Sequence, residues 1–406
     1  VPATSESSTT PGSPLHGVRV LDMTTTLMGP YATMMLAQLG ADVIKVEPPG
    51  GDAVRRIGAG RSPGMGPIYL NANVGKRALT LDLKQAGARG ALSRLLEQSD
   101  VFAHNLRPKA AAALGLDPDT VVDVNPTCIY CCFRGFDDGP YADEPAYDDV
   151  IQAVSGVAAT QGRGGPPQYV ATPMVDKTVG LAGAVAILAA LHKRAATGSG
   201  EVLTVPMFEF MASFMLLEQQ GGRVFDPPIG PSGYARTASP NRKPYTTRDG
   251  HLSVVIYTDA QWQRFFELVG SSELATDDRF KDIGARTRHI DELYGLVAEV
   301  MSRRTTADWL IALRRADIPV MPLRTVDELF DDLHLRETGF FRQVEHPSEG
   351  SLVQARFPLR FGHGLDEVPP APRLGQHTRS VLQEIGLTDT EIAELERTGA
   401  AQPPSS

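Results

Sequence analysis

The chain has 406 residues, 42% apolar and 21% charged, enough to bury one large core or two smaller ones. Its net charge of −9 is scattered rather than gathered in a block, which excludes a broad basic face for nucleic acid and leaves room only for a local basic pocket. The longest apolar stretch, Val179 to Leu191, is too short for a bilayer and carries glycines, so it reads as a helix buried in protein, with no membrane span expected.

Val1 to Ser13 are rich in Ser, Thr and Pro, without an apolar signal core or an arginine-rich amphipathic pattern, and residues 1–13 are expected to be a disordered tail. Val18 to Leu21 then reads as a strand, Tyr31 to Leu39 as an apolar helix and Val43 to Val46 as a second strand, a βαβ unit. The rhythm continues with strand Ala78 to Leu83, helix Ala86 to Gln98, and strands Val101 to His104 and Cys128 to Phe133. A Rossmann-like, doubly wound parallel α/β sheet follows from that alternation. Cys128, Cys131 and Cys132 lie in one apolar run with no zinc-ligand spacing, so no metal site is expected, and three reduced thiols fit a cytoplasmic protein.

After the loop Gly162 to Pro167, the segment Pro173-Met174-Val175-Asp176 leads into a long Ala/Gly-rich helix ending near Lys193-Arg194, before strand Val202 to Val205. The Pro/Gly-rich stretch Phe225 to Gly233 marks a boundary, so residues 14–225 form the large α/β domain. Residues 226–335 read as a smaller α+β domain, with strand Leu252 to Tyr257 and helices Ala260 to Val269, Ile290 to Met301 and Thr306 to Arg315. Residues 336–398 are loop-like with β segments, end in helices Arg379 to Ile385 and Asp389 to Arg397, and return to the large domain; 399–406 form a tail.

A dinucleotide fingerprint is missing, because Met23 to Pro30 offers a single glycine after the first strand, and Glu47 reads as a solvated strand end. Asp176 precedes a nearly uncharged helix, so its carboxylate is expected to meet the unpaired amides there and to stay ionised. Tyr147-Asp148-Asp149 reads as the cap of a second helix, which explains the acids but not the tyrosine. Asn105 and Arg107 follow a strand end, the rim where open α/β sheets bind ligands, and the cations of Arg55-Arg56 and Lys76-Arg77 suit one anionic ligand. His377 reads as part of a capping turn, with general base as the alternative.

Taken in order, Pro14 to Asp22, Gly29-Pro30, Leu39 to Glu47, Gly75 to Lys84, Asn105 to Pro108, Gly139-Pro140-Tyr141, Thr197 to Gly200 and Arg373 to Thr378 resemble the motifs of the class III CoA transferases. That family includes formyl-CoA and carnitine CoA transferases and, as a divergent branch, the α-methylacyl-CoA racemases. The resemblance implies an interlocked homodimer and a soluble enzyme whose partners are an acyl-CoA and a carboxylic acid. It implies Asp176 as the nucleophile and Tyr147 beside the acyl group, with coenzyme A held by Asn105, Arg107, Lys76 and Arg77 and no metal or redox cofactor. Gln376 stands where the family usually has glutamate, and Gly230 to Arg236 lacks the glycine-rich loop of the formyl-CoA transferases, so oxalate or formate specificity is not implied.

The implied chemistry is a relay through an aspartyl anhydride and an aspartyl-CoA thioester. Amides at the start of the Asp176 helix or in the Gly162 to Gly165 loop are the candidate oxyanion donors. Two alternatives stay open: an α-methylacyl-CoA racemase or related isomerase, disfavoured because the histidine that the racemases carry in the segment around Tyr147 is absent here, and a non-catalytic CoA-binding protein.

Overall fold

The computed structural model describes residues 12–362 and 364–404, so residues 1–11 of the expected N-terminal tail and 405–406 of the C-terminal one lie outside the described residues. The chain divides into two compact units, one formed by residues up to 155, 171–212 and 339 onward, the other by 156–170 and 213–338.

The first unit is built on six parallel strands: β1 (Arg19–Met23), β2 (Asp42–Glu47), β3 (Lys76–Thr80), β4 (Val101–His104), β5 (Ile129–Arg134) and β6 (Glu201–Pro206). They lie in the order β3-β2-β1-β4-β5-β6. Helices cover both faces, which is why β4 and β5 read as unbroken apolar runs rather than alternating ones. The helices that matter below are α1 (Met28–Gln38), α2 (Ala86–Glu97), α3 (Asp148–Val154) and α4 (Met174–Thr197). On one face Leu92 and Leu95 of α2 pack on Leu21, Ile44, Leu79, Phe102 and Tyr130 of the strands. On the other face α4 lies against α1 and β5.

Small residues make that approach possible. A Cβ at Gly180 would fall 2.6 Å from the Met28 carbonyl oxygen, and one at Gly183 would fall 2.3 Å from the Phe133 ring. By length and composition α4 is apolar enough to cross a membrane, with 39% of its most apolar window buried, but it serves here as a packing helix on the sheet. It stops at Gly198, whose φ of 75° lets its amide return to the Arg194 carbonyl at 2.7 Å.

In the second unit β7 (Tyr245–Thr246), β8 (His251–Val254) and β9 (Val320–Pro322) form an antiparallel sheet. Leu252 and Val254 of β8 are buried while their neighbours are exposed, the alternation expected of a one-sided sheet. Helices α5 (Asp259–Val269), α6 (Ile290–Met301) and α7 (Thr306–Arg315) close over it with Trp262, Phe266, Leu293, Val297, Trp309 and Leu313. Thr258 and Gln261 form a capping box that starts α5.

The returning segment forms the hairpin β10 (Phe341–His346) and β11 (Gly350–Ala355), then α8 (Thr378–Glu384) and α9 (Asp389–Thr398), whose Val381, Leu382, Ile392 and Leu395 join the α2 core. The end of the chain differs from a free tail: the Asp82 amide donates to the Ala400 carbonyl at 2.9 Å, and Gln402 donates to Thr80 at 3.2 Å. Edge strand β3 is covered by these contacts.

Candidate active site

The charges along β1 to β3 are buried and matched to one another. Lys76 is enclosed, its ammonium donating to Asp22 Oδ2, the Pro30 carbonyl and Asn73 Oδ1, each at 2.9 Å, which uses all three of its donors. Arg77, the next residue of a strand, points to the opposite face, where it meets Asp42 at 2.7 Å and Glu384 at 2.6 Å. These two cations, expected to hold coenzyme A, are thus engaged with carboxylates and are not in the lining of the cavity that Asn105 and Arg107 share. Glu47 is not a solvated strand end: it is buried and bound by Arg55 through Nε at 2.8 Å and Nη2 at 2.6 Å, which also removes Arg55 from the proposed anion cluster. Burial alone would raise the Asp22 carboxyl, but Lys76, Lys45 and the hydroxyls of Thr24 and Thr33 outweigh it and hold it well below the ordinary range.

These pairs fix the loop that follows β1. Lys45 binds Asp52 at 3.1 Å, and Asp52 in turn accepts the Thr26 amide at 3.2 Å, holding Thr26 at a φ of 73° that side chains other than glycine rarely adopt. Thr25 and Asn105 then join across the β1/β4 junction, the place where strand order reverses. The Asn105 amide accepts the Thr25 N–H and donates to the Thr25 carbonyl, both at 3.0 Å, imitating one rung of a backbone ladder. His104 steadies the other side: its Nδ1 accepts the Leu106 amide at 3.2 Å, so Nε2 carries the proton shared with the Tyr130 hydroxyl at 2.6 Å. Burial lowers this imidazole to about 4, which keeps it neutral.

A cavity of about 230 Å³ opens at this junction, lined among others by Thr25, Thr26, Asn105, Arg107, Arg134 and Tyr147. The sequence reading named Asn105, Arg107 and Tyr147 here, and the fold brings these three together. Thr25 and Thr26, which no sequence motif singles out, join them. Arg134 donates through Nη1 to Asp138 at 2.8 Å, while its buried Nε meets no acceptor among the described residues.

Asp176 lies beyond the lining of that cavity and is tied to it through α3. The helix α4 starts at Met174, so Asp176 is its third residue rather than its cap, and the expected contact with free amides is taken by another carboxylate. Asp148, the residue after Tyr147, accepts the Asp176 amide on Oδ2 at 3.0 Å and the Gln152 side-chain amide on Oδ1 at 2.6 Å. Asp148 therefore caps α4, not its own helix. No hydrogen bond to the Asp176 carboxylate, from Tyr147 or any other residue, is found among the described residues.

The electrostatic result is the reverse of that along β1 to β3. Burial, then the charges of Asp148 and Asp149, raise the Asp176 carboxyl to about 6. At pH 7 about nine-tenths of it is still ionised, and a carboxylate that is poorly solvated and more basic than usual is a stronger nucleophile than an exposed one. His377 plays a different part: its Nδ1 accepts the Ala78 amide at 3.1 Å, and burial, with Arg77 nearby, lowers it to about 4. It anchors α8 to β3 as a neutral acceptor and not as a base. Among the described residues no group of three His, Cys, Asp or Glu side chains is placed to hold a metal ion.

The sequence profile of CoA-transferase family III matches residues 15–378. The chain belongs to CoA-transferase family III. It is 30% identical to the formyl-CoA:oxalate CoA-transferase of Rhodopseudomonas palustris strain BisA53, over 96% of this chain and 98% of that one. The same identity, over 96% and 99%, relates it to the formyl-CoA:oxalate CoA-transferase of Shigella sonnei. Among solved structures it is similar to a CAIB/BAIF family protein from Brucella suis, with a TM-score of 0.78 and 28% identity over 92% of this chain and 99% of that one. It is also similar to Rv3272 from Mycobacterium tuberculosis, with a TM-score of 0.79 and 28% identity over 92% and 100%. Family membership makes an acyl-CoA and an acid the substrates of this enzyme.

Proposed function

We propose that this family III enzyme moves coenzyme A from an acyl-CoA donor to a carboxylic acid acceptor through covalent intermediates on Asp176. The observation that carries the reading is the state of that carboxylate: half-buried, raised to about 6, and held in place by its own backbone amide on Asp148.

The Asp176 carboxylate oxygen attacks the donor thioester carbonyl, and the C–S bond breaks to release CoA thiolate and leave a mixed anhydride. The thiolate then attacks the aspartyl carbonyl, which expels the donor acid as its carboxylate and leaves an aspartyl-CoA thioester. The acceptor carboxylate displaces the thiolate to give a second anhydride. Attack of the thiolate on the acceptor carbonyl yields the new acyl-CoA and restores Asp176. One thioester replaces another and no net proton moves, so the relay needs positioning and exclusion of water more than an energy source.

Asn105 and Arg107 are the residues of the binding cavity to which coenzyme A is assigned, with Arg107 pairing a phosphate and Asn105 keeping the rim in shape through Thr25. Tyr147 is assigned to the acyl group; it is 71% exposed in the free chain, which leaves its ring available to a substrate. A homodimer belongs to the same reading: Leu181 and Val185, one turn apart on α4, stay exposed, as do Phe214 and Leu217 of the helix Met207–Gln219, an amount of uncovered apolar surface that a second copy would bury. The three buried free thiols support a cytoplasmic setting.

The test is thioester exchange. With acetyl-CoA or succinyl-CoA as donor and a panel of isotopically labelled acids, the label is expected to enter acyl-CoA with the wild-type enzyme and not with Asp176→Ala. Entry of solvent deuterium at an acyl α-carbon in the absence of any acid would instead mark a racemase.

A further inference from the structure

The second unit contains a cavity of about 250 Å³ that the transferase reading does not use. Four cations stand around it: Arg163, Arg236, Arg242 and Lys243. No carboxylate lines it, and among the described residues none of the four makes an ion pair. Other arginines of the same unit do: Arg264 pairs with Asp317, Arg279 with Asp277, Arg286 with Asp259 and Arg303 with Glu299. In a protein of net charge −9, four unmatched cations around one concavity make a local positive field that an anion would neutralise.

The floor is of opposite character. Tyr245, Val254, Ile256, Trp262 and Val297 line the cavity and are buried in the core of the unit, where β8 presents its inward-facing residues to α5 and α6. The cationic rim is also held in place. Arg236 Nε donates to the Tyr294 hydroxyl at 2.8 Å, and its guanidinium carbon lies 4.8 Å from the centre of the Tyr257 ring. Asp291 accepts the Ser239 hydroxyl at 2.7 Å and the Asn241 side-chain amide at 3.0 Å, which pins the turn that presents Arg242 and Lys243. Arg163 donates to the Arg242 carbonyl and ties the loop 162–166 to that turn.

A fixed guanidinium above an apolar floor suits a planar carboxylate joined to a compact apolar body. We propose that this cavity binds a small carboxylic acid of branched or aromatic type, its carboxylate on Arg236 within the field of Arg163, Arg242 and Lys243, and its apolar part against Trp262 and Val297. The assignment is independent of Asp176 and holds whether or not that residue forms an anhydride.

The test is calorimetric titration of the full-length enzyme with benzoate, repeated with benzyl alcohol, inorganic phosphate and adenosine 3′,5′-bisphosphate, while tryptophan fluorescence reports on Trp262. The expected result is saturable benzoate binding with a change in fluorescence and no binding of benzyl alcohol. Arg236→Gln, and separately the surface double variant Arg242→Gln/Lys243→Gln, should each weaken benzoate about tenfold, the size of one lost charge-assisted contact. Asp176→Ala should bind benzoate as the wild type does, which separates this site from the transferase chemistry. Benzoate affinity unchanged in both cavity variants would overturn the proposal. So would binding of phosphate or the bisphosphate, but not benzoate, that is lost in the double variant, since that would make the cavity a phosphate site.

Discussion

The two halves of one sheet rim use the same residue types in opposite ways. Along β1 to β3, Asp22, Glu47 and Asp52 are buried opposite Lys76, Arg55 and Lys45 at 2.9, 2.6 and 3.1 Å, and their charges are spent on holding the loop after β1. Where α3 meets α4, the charged neighbours of half-buried Asp176 are two further carboxylates, the buried Asp148 and the exposed Asp149, and it is raised to about 6 where Asp22 is lowered. A buried charge with a partner becomes structure; one denied a partner is left basic and reactive.

That contrast is broken most sharply by exchanging one residue on each side. Asp176→Ala should lower transferase turnover on the order of 10³-fold or more while leaving the thermal midpoint near wild type, because no hydrogen bond depends on its carboxylate. A turnover loss with a collapsed midpoint would mean that Asp176 is structural. Lys76→Met should do the reverse and cost about 3–5 kcal/mol of stability in urea titration, since it strands Asp22 without its closest cation. A near-neutral result would show that Asp22 takes up a proton or another partner at little cost.

Arg107→Gln should raise the KM for acyl-CoA about tenfold with kcat nearly unchanged, consistent with one charge-assisted contact made equally in ground and transition states. A fall in kcat alone would place Arg107 at the reacting atoms. The subtlest effect concerns pH. Activity should fall as pH drops through about 6, because protonation of Asp176 removes the nucleophile. Asp148→Asn keeps an acceptor for the Asp176 amide but removes the neighbouring negative charge that helps to raise Asp176, so the acid limb should move to lower pH. An unmoved limb would assign the titration to another group.

Much of this was legible in the sequence where a pattern has one physical meaning. Helices at Ile290–Met301 and Thr306–Arg315 and the strand at Val101–His104 follow from their periodicity, and the parallel sheet follows from the βα rhythm. The short helices Pro67–Ala72, Pro108–Ala113 and Pro118–Val124 have too few turns to show a period, although each starts on proline, a legible sign of a first turn. At the cavity, Asn105 and Arg107 stand out by their position after a strand and by resemblance, and Tyr147 by resemblance alone. That Lys76 and Arg77 pair elsewhere was not legible, because a cation's partner can be supplied by distant parts of the chain, as Asp22 and Glu384 do here. Asp148 was seen only as a cap, and that it caps α4 rather than its own helix is a tertiary fact that no local pattern carries.

The most direct measurement is intact-protein mass spectrometry after the enzyme is mixed with acetyl-CoA or succinyl-CoA and then with hydroxylamine, which converts an activated aspartyl carbonyl into a hydroxamate. The account predicts a mass increase at one site, mapping to the peptide that contains Asp176 and absent from Asp176→Ala. Donors shown to bind that leave Asp176 unmodified would contradict it.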